Sequence, residues 1–424
     1  MTFLSKLHSS RLILGVFIIS ITIVLRDIVS VSIPDVALLA ISCGIMIYLP
    51  YFELVPFLFF LFPFTCGIPG YVMLAAYFIL FIKARHLSAA QIIPVVIIGI
   101  LELLNEVIGT DFATLSGVMS FMSFTAIFFF FLNDKARPSY DIKKSIFYFG
   151  IGTLVTFGVI FFNMLREYGL DYLLTGMARS GALGVEGNNV NIMKGHLAMN
   201  ANTIAYYAIC SLSCLVVLFS SYKRIPTFFL IAIIALCGFL TLSRTYILCL
   251  ALVGVLYILT ASNKMRIGFA FTLIVLFIAL SFFAGEYIER FQETIMGRSQ
   301  GSNFATAGGR TILFDEYNEA WLKSTWYILF GCGVVNYFPL LHCSNAMHSG
   351  LQQIWVCLGI TGLILYIQQI GSFIKKYFSF KKIVFIIPFL VTLIFDQSIQ
   401  FLNPYPLMLP IMVSLLVCKV TKAF

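Results

Sequence analysis

The chain has 424 residues, of which 60% are hydrophobic, 16% aromatic and only 11% charged, and its mean hydropathy is +0.99. That balance excludes an ordinary water-soluble domain and implies a chain that crosses a membrane repeatedly. The formal net charge is +9, but the basic residues sit in short segments between apolar runs, so they read as a topology signal and no nucleic-acid partner is expected.

A bilayer-spanning helix needs about 20 apolar residues, and uncharged runs of that order recur along the chain. The first, 12–25, follows Lys6 and Arg11 with no small-residue cleavage site after it, and reads as a retained signal anchor. Further helices are predicted at 33–49, 51–66, 67–82, 91–108, 114–132, 146–163, 198–220, 226–241, 245–260, 267–284, 349–370, 383–400 and 404–418. Pro56, Pro63 and Pro69 interrupt the third and fourth, which also read as one re-entrant hairpin. Either version leaves an even number of crossings.

The expected fold is an all-α polytopic transmembrane bundle of 12–14 helices with one large external loop that contains an amphipathic helix. It divides into N-terminal helices (1–163), a first long external loop (164–197), central helices (198–284), the large external loop (285–348) and C-terminal helices (349–424).

With the N-terminus in the cytoplasm, 18 of the 27 basic residues fall on one side, in clusters such as Lys83/Arg85, Lys143/Lys144, Lys375/Lys376 and Lys419/Lys422. The positive-inside rule then puts both termini in the cytoplasm. The nine left outside are Arg26, Arg166, Arg179, Lys194, Arg244, Arg290, Arg298, Arg310 and Lys323. Seven of these nine are Arg, whereas Lys dominates inside. Topology has no use for that reversal, but a guanidinium binds phosphate or carboxylate bidentately and keeps its charge. The excess of external Arg therefore suggests recognition of an anion; the plainer alternative is pairing with acids of the same loops.

The segment GGRTILFDEYNEAWL carries Leu313, Tyr317, Ala320 and Trp321 on one helical face and Asp315, Glu316, Glu319 and Lys323 mostly on the other, which predicts an amphipathic helix at the membrane surface. Gly308 and Gly309 before Arg310 are either a hinge or the opening of an anion-binding helix start. Arg244 begins an apolar run, where a cation needs a cavity or a partner such as Glu102, Asn105, Glu106 or Asp396. The stretch CSNAMHSGLQQIW brings polar residues to the mouth of another. His348 in it is suited to moving a proton near neutral pH, more so than His342, and shares a helix face with Gln352. Most of the ten Cys lie in apolar runs as small hydrophobes, Cys210 and Cys214 included. Cys332 and Cys343 both fall in the large loop, where an oxidising exterior would allow a disulfide.

Three segments together resemble the O-antigen polymerase and O-antigen ligase family of bacterial membrane glycosyltransferases. They are GHLAMNANTIAYYAI (195–209), TLSRTYILCLALVGVLYIL (241–259), and GGRTILFDEYNEAW followed by LFGCGVVNYF and HSGLQQIWVCLGITGLILY. The last is similar to the family's loop Arg, Gly-x-Gly and His leading into a helix with Gly-Ile-x-Gly. The resemblance covers the C-terminal half, and the first 150 residues by hydropathy alone.

What the resemblance implies is transfer of a glycan from polyprenyl diphosphate to a sugar hydroxyl on the outer face of the bacterial cytoplasmic (inner) membrane. In that scheme His348 is the general base, Arg244 and Arg310 clamp the diphosphate, and Gln352 and Asn345 orient hydroxyls. Arg179 and Arg298 attract the donor, and Trp321 and Tyr337 stack on sugar rings. No metal or cofactor is expected. The partners are the polyprenyl-diphosphate-linked oligosaccharide, membrane lipids, and a chain-length regulator and flippase of the same pathway. A polymerase is the expected member, with a ligase acting on lipid A core as the alternative. A lipid-linked oligosaccharide flippase, using Glu102, Glu106 and Asp396 as coupling groups, is the rival of another class.

Overall fold

The computed structural model describes residues 3–66, 70–84, 87–108, 115–134, 142–174, 197, 199, 201–222, 225–241, 243–260, 310–335, 337, 341, 343, 347, 349–378, 384–397, 402 and 407–423. Among them the chain is all-helical, with no strand. In chain order the helices are α1 (Phe3–Asp27), α2 (Asp35–Tyr48), α3 (Tyr51–Leu61), α4 (Gly70–Lys83), α5 (Ala89–Ile108), α6 (Leu115–Asn133), α7 (Ile142–Leu174), α8 (Ala201–Tyr222), α9 (Ile225–Leu240), α10 (Arg244–Thr260), α11 (Arg310–Leu322), α12 (Thr325–Phe330), α13 (Gly350–Tyr377), α14 (Ile387–Asp396) and α15 (Met408–Val417). The helix predicted at 267–284 lies outside the described residues.

Four of these are long and apolar enough to cross a membrane: Ala89–Val107, Ile142–Leu170, Ala201–Ser220 and Gly350–Tyr377. Others are apolar but shorter, at 10–17 residues. The outer surface fits the same solvent. On α5, Val96, Ile100, Leu103 and Val107 are at least half exposed, while Ile98, Leu101, Glu102 and Asn105 on the opposite face are buried. An apolar stripe turned outward with polar groups turned inward reverses the arrangement of a helix on a water-soluble protein.

The core is built on phenylalanine. Every residue of α3 from Glu53 to Leu61 is buried, as an all-round apolar helix must be. Its Phe59 meets Phe131 of α6 edge-on at 5.5 Å, and Phe128 and Phe129 of α6 contact Tyr366 of α13. The α3 and α4 segments are separate helices, α3 packing on α7 and α4 on α6. Pro56 stays within α3.

Cations collect at one end of the bundle and satisfy helix C-termini. Lys83 Nζ donates to Met46 O at 2.8 Å, Ile47 O at 2.7 Å and Leu49 O, the last carbonyls of α2. Lys419 Nζ donates to Phe131 O at 2.8 Å, at the end of α6, and lies over the rings of Phe373 and Tyr377. Both placements complement the negative end of a helix dipole.

Three features differ from the sequence expectations. Helix α7 runs to Leu174 instead of ending at 163, so the first part of the expected 164–197 loop is helical; the break comes at Gly169, whose φ of 78° glycine adopts without penalty. A short helix, α12, follows α11 and was not anticipated. Cys332 and Cys343 are free thiols. The Cys332 thiol donates to Val356 O at 3.3 Å and is hydrogen-bonded to Cys357, whereas Cys343 turns to Leu341 O at 3.7 Å. Burial pushes the Cys343 thiol up to about 11, which keeps it protonated and a poor partner in disulfide exchange.

Candidate functional site

The end of the bundle opposite the lysines is organised by a break in α13. Gly359 has φ 66° and ψ −171°, so the helix ends after Leu358 and restarts. A helix end leaves its last carbonyls without intrahelical donors. Here the Gly331–Val335 segment supplies them: Cys332 N donates to Val356 O at 3.1 Å and Gly333 N to Cys357 O at 2.9 Å. Thr361 Oγ1 answers from the restarted helix, donating to Leu329 O at 2.8 Å.

On its other side the same segment rests on α5. The Glu102 carboxylate accepts from Val334 N at 2.8 Å and from Val335 N at 3.1 Å, across 232 residues of chain. Asn105 bridges α12, donating to Phe330 O at 3.2 Å and accepting from Trp326 Nε1 at 3.0 Å. Glu102 and Asn105, one acidic and one amide side chain read from sequence as partners for Arg244, therefore hold the chain on either side of the Gly-Cys-Gly turn. Replacing Glu102 with Ala strands buried amides and is expected to destabilise the protein by about 2–4 kcal/mol, with Glu102→Gln losing less. Thermal unfolding in detergent, followed by the loss of monodisperse protein, measures the order Ala > Gln > wild type in damage.

Helix α11 docks on the start of α13. Gln352 Nε2 donates to Phe314 O at 2.7 Å, and Trp355 Nε1 to Asn318 Oδ1 at 3.3 Å. Tyr317 and Ala320 are buried, Leu313 and Trp321 half-buried, and Asp315, Glu319 and Lys323 exposed, so the face read from sequence is the packed one. Ile312 and Leu322 remain exposed as well. Trp321 Nε1 donates to Tyr327 O at 2.7 Å. Tyr337 is buried with its ring 5.9 Å from Tyr317, and burial raises its hydroxyl. Gln352, Trp321 and Tyr337 thus each have a partner within the protein.

The start of α13 is also tied to the end of α14. Ser349 caps α13, its hydroxyl accepting from Gln352 N at 3.3 Å and donating to Gln397 Oε1 at 3.0 Å. Gly350 lies directly against the Asp396 carboxylate, where an added Cβ would fall 2.0 Å from Oδ2. Arg244 comes to this end through α8. Tyr206 meets Phe395 at 5.6 Å, and Cys210 reaches Thr392 through Ser414, by contacts of 3.2 and 2.8 Å, so α14 runs antiparallel to α8. Short connections return the chain through α9, leaving α10 parallel to α8. Arg244, the exposed first residue of α10, and Asp396, the last of α14, therefore occupy the same end. The α10–α14 contact is marked by Cys249 Sγ facing Val391 O at 3.8 Å.

Arg310 opens α11. His348, Asn345, Arg179 and Arg298 lie outside the described residues, as does His342. Among the described residues no group of three or more His, Cys, Asp or Glu has the arrangement of a metal site. What sequence reasoning missed is the Gly350–Asp396 contact and the Gly359 break, for which only the glycines themselves were a signal.

No protein-family model matches this chain, and no curated protein matches it.

Proposed function

We propose that this chain is a multi-pass protein of the bacterial cytoplasmic membrane that polymerises lipid-linked oligosaccharide repeat units. The glycan passes from polyprenyl diphosphate to a sugar hydroxyl on the outer face. The observation that supports this reading is the 2.7 Å hydrogen bond from Gln352 to Phe314 O, which joins the N-terminal part of α11 to the first turn of α13. Arg310 begins the first of these helices, and His348 precedes the second by two positions. Arg244 starts a helix at the same end. Two guanidinium-bearing helix starts at one end of an apolar bundle suit a reaction whose leaving group is a membrane-anchored diphosphate.

In this mechanism the acceptor O–H gives its proton to His348 as its oxygen bonds to the anomeric carbon. The anomeric carbon–oxygen bond breaks, and its electron pair leaves on the diphosphate. Arg244 and Arg310 stabilise the charge that grows there. Deleting the gene and restoring wild type or His348→Ala tests the reading through the size profile of the surface glycan. A polymerase leaves a single repeat attached on deletion, and only wild type restores the ladder. Full-length polymer held on polyprenol with nothing attached would mark a ligase, loss of all external glycan a flippase, and an unchanged ladder would refute the transferase reading.

A further inference from the structure

Three buried polar atoms at the Arg244 end have no hydrogen-bond partner among the described residues: Asp396 Oδ1, Tyr206 Oη and Gln353 Nε2. Their residues are 3%, 0% and 0% exposed. A polar group buried without a partner costs about 1–3 kcal/mol, so three from three different helices call for a ligand or water that completes them.

The three groups are linked through shared neighbours. Tyr206 packs on Phe395 and lies within electrostatic range of Asp396. Gln353 stands one helical turn from Gly350, which the Asp396 carboxylate touches. The amide orientation of Gln353 is set by chemistry: its Oε1 accepts Leu402 N at 2.5 Å, so the open valence is the nitrogen, a donor. The combined offer is one carboxylate acceptor, one amide donor and one phenol that does either. A cation would meet the Gln353 N–H groups. A hydroxyl, which donates one hydrogen bond and accepts two, fits all three.

We propose that Asp396, Tyr206 and Gln353 form a binding subsite for a hydroxyl group of the acceptor sugar. This rests on the transferase reading above, and it assigns acceptor recognition to residues outside the diphosphate machinery. Asp396 accepts from the sugar hydroxyl, while Gln353 and Tyr206 donate to it. Gly350 is required because any side chain there would displace the carboxylate.

The test uses the full chain in proteoliposomes. The donor is the lipid-linked repeat extracted from cells lacking the gene, and the acceptor is the same repeat freed of lipid by mild acid. Asp396→Asn is expected to raise the KM for the acceptor about tenfold or more, and Tyr206→Phe by a smaller factor, with the KM for the donor changed less than twofold. An unchanged acceptor KM in both variants, with wild type active, would mean that the site holds an ordered water only and would overturn the subsite. A fall in kcat with both KM values unchanged would do the same, marking Asp396 as structural. No transfer by wild type would instead overturn the transferase reading, and the subsite with it. Monodispersity in detergent separates variants that do not fold, and Tyr206→Phe, which removes one oxygen atom, keeps the question answerable if Asp396→Asn is among them.

Discussion

Arg244→Ala is expected to reduce the surface glycan to single repeats, with transfer in proteoliposomes falling about 100- to 1,000-fold, the usual cost of removing one preorganised stabiliser of a developing anion. A backbone turn sets its position. Thr241 Oγ1 donates to Gly238 O at 2.6 Å and accepts from Ser243 N at 3.4 Å, a turn that delivers Arg244 as the first residue of α10. Its side chain is exposed at the end of the bundle that also carries Gly350 and Asp396. Arg244→Lys keeps the charge but loses the planar fork, so only partial recovery is expected if the ligand is a diphosphate engaged bidentately. Full recovery with Lys would reduce Arg244 to a point charge. Full activity in Arg244→Ala would remove it from the reaction. The folded yield in detergent, measured alongside, separates this loss from misfolding.

Gly359→Ala should prevent recovery of folded protein, at a cost of more than about 3 kcal/mol. Two effects add. A φ of 66° is strained for any residue with a Cβ, and the Cβ would fall 2.5 Å from Leu329 C and O and from Phe330 N, all backbone atoms that no rotamer change can move. Gly331 makes the reciprocal approach, with a Cβ 2.1 Å from Cys357 O, so Gly331→Ala should fail in the same way. Gly371 supplies the control. It lies in the same helix with nothing within 4 Å of its would-be Cβ, so Gly371→Ala should be neutral or slightly stabilising. Size-exclusion profiles of the three variants in detergent give the comparison, and a monodisperse Gly359→Ala protein would show that α13 runs straight.

Hydropathy was enough to locate most of the described helices. The predicted 114–132 is α6 at Leu115–Asn133, 226–241 is α9 at Ile225–Leu240, and 245–260 is α10 at Arg244–Thr260. The packed face of α11 was legible too, because Tyr317 and Ala320 are buried where a 3.6-residue period puts them. These are local properties, set by the solvent each segment requires and by helical geometry, and a linear chain carries them in full.

Partner choice was not legible. Glu102, Asn105 and Asp396 stood out in the sequence as polar groups in apolar runs, and Arg244 was the cation nearest at hand in the pattern. The structure gives Glu102 to the amides of Val334 and Val335, Asn105 to Phe330 and Trp326, and a tight contact with Asp396 to Gly350. Cys332 likewise is hydrogen-bonded to Cys357, and no disulfide joins it to Cys343. Each of these follows from the break at Gly359 or from the packing of α13 on its neighbours. The break exposes carbonyls at the end of one helical segment, and a loop drawn in to satisfy them carries its own amides to the nearest buried carboxylate. Composition and period thus determine which segments are helical and which solvent they face. Which buried donor meets which acceptor depends on backbone carbonyls that become available only once the helices have packed.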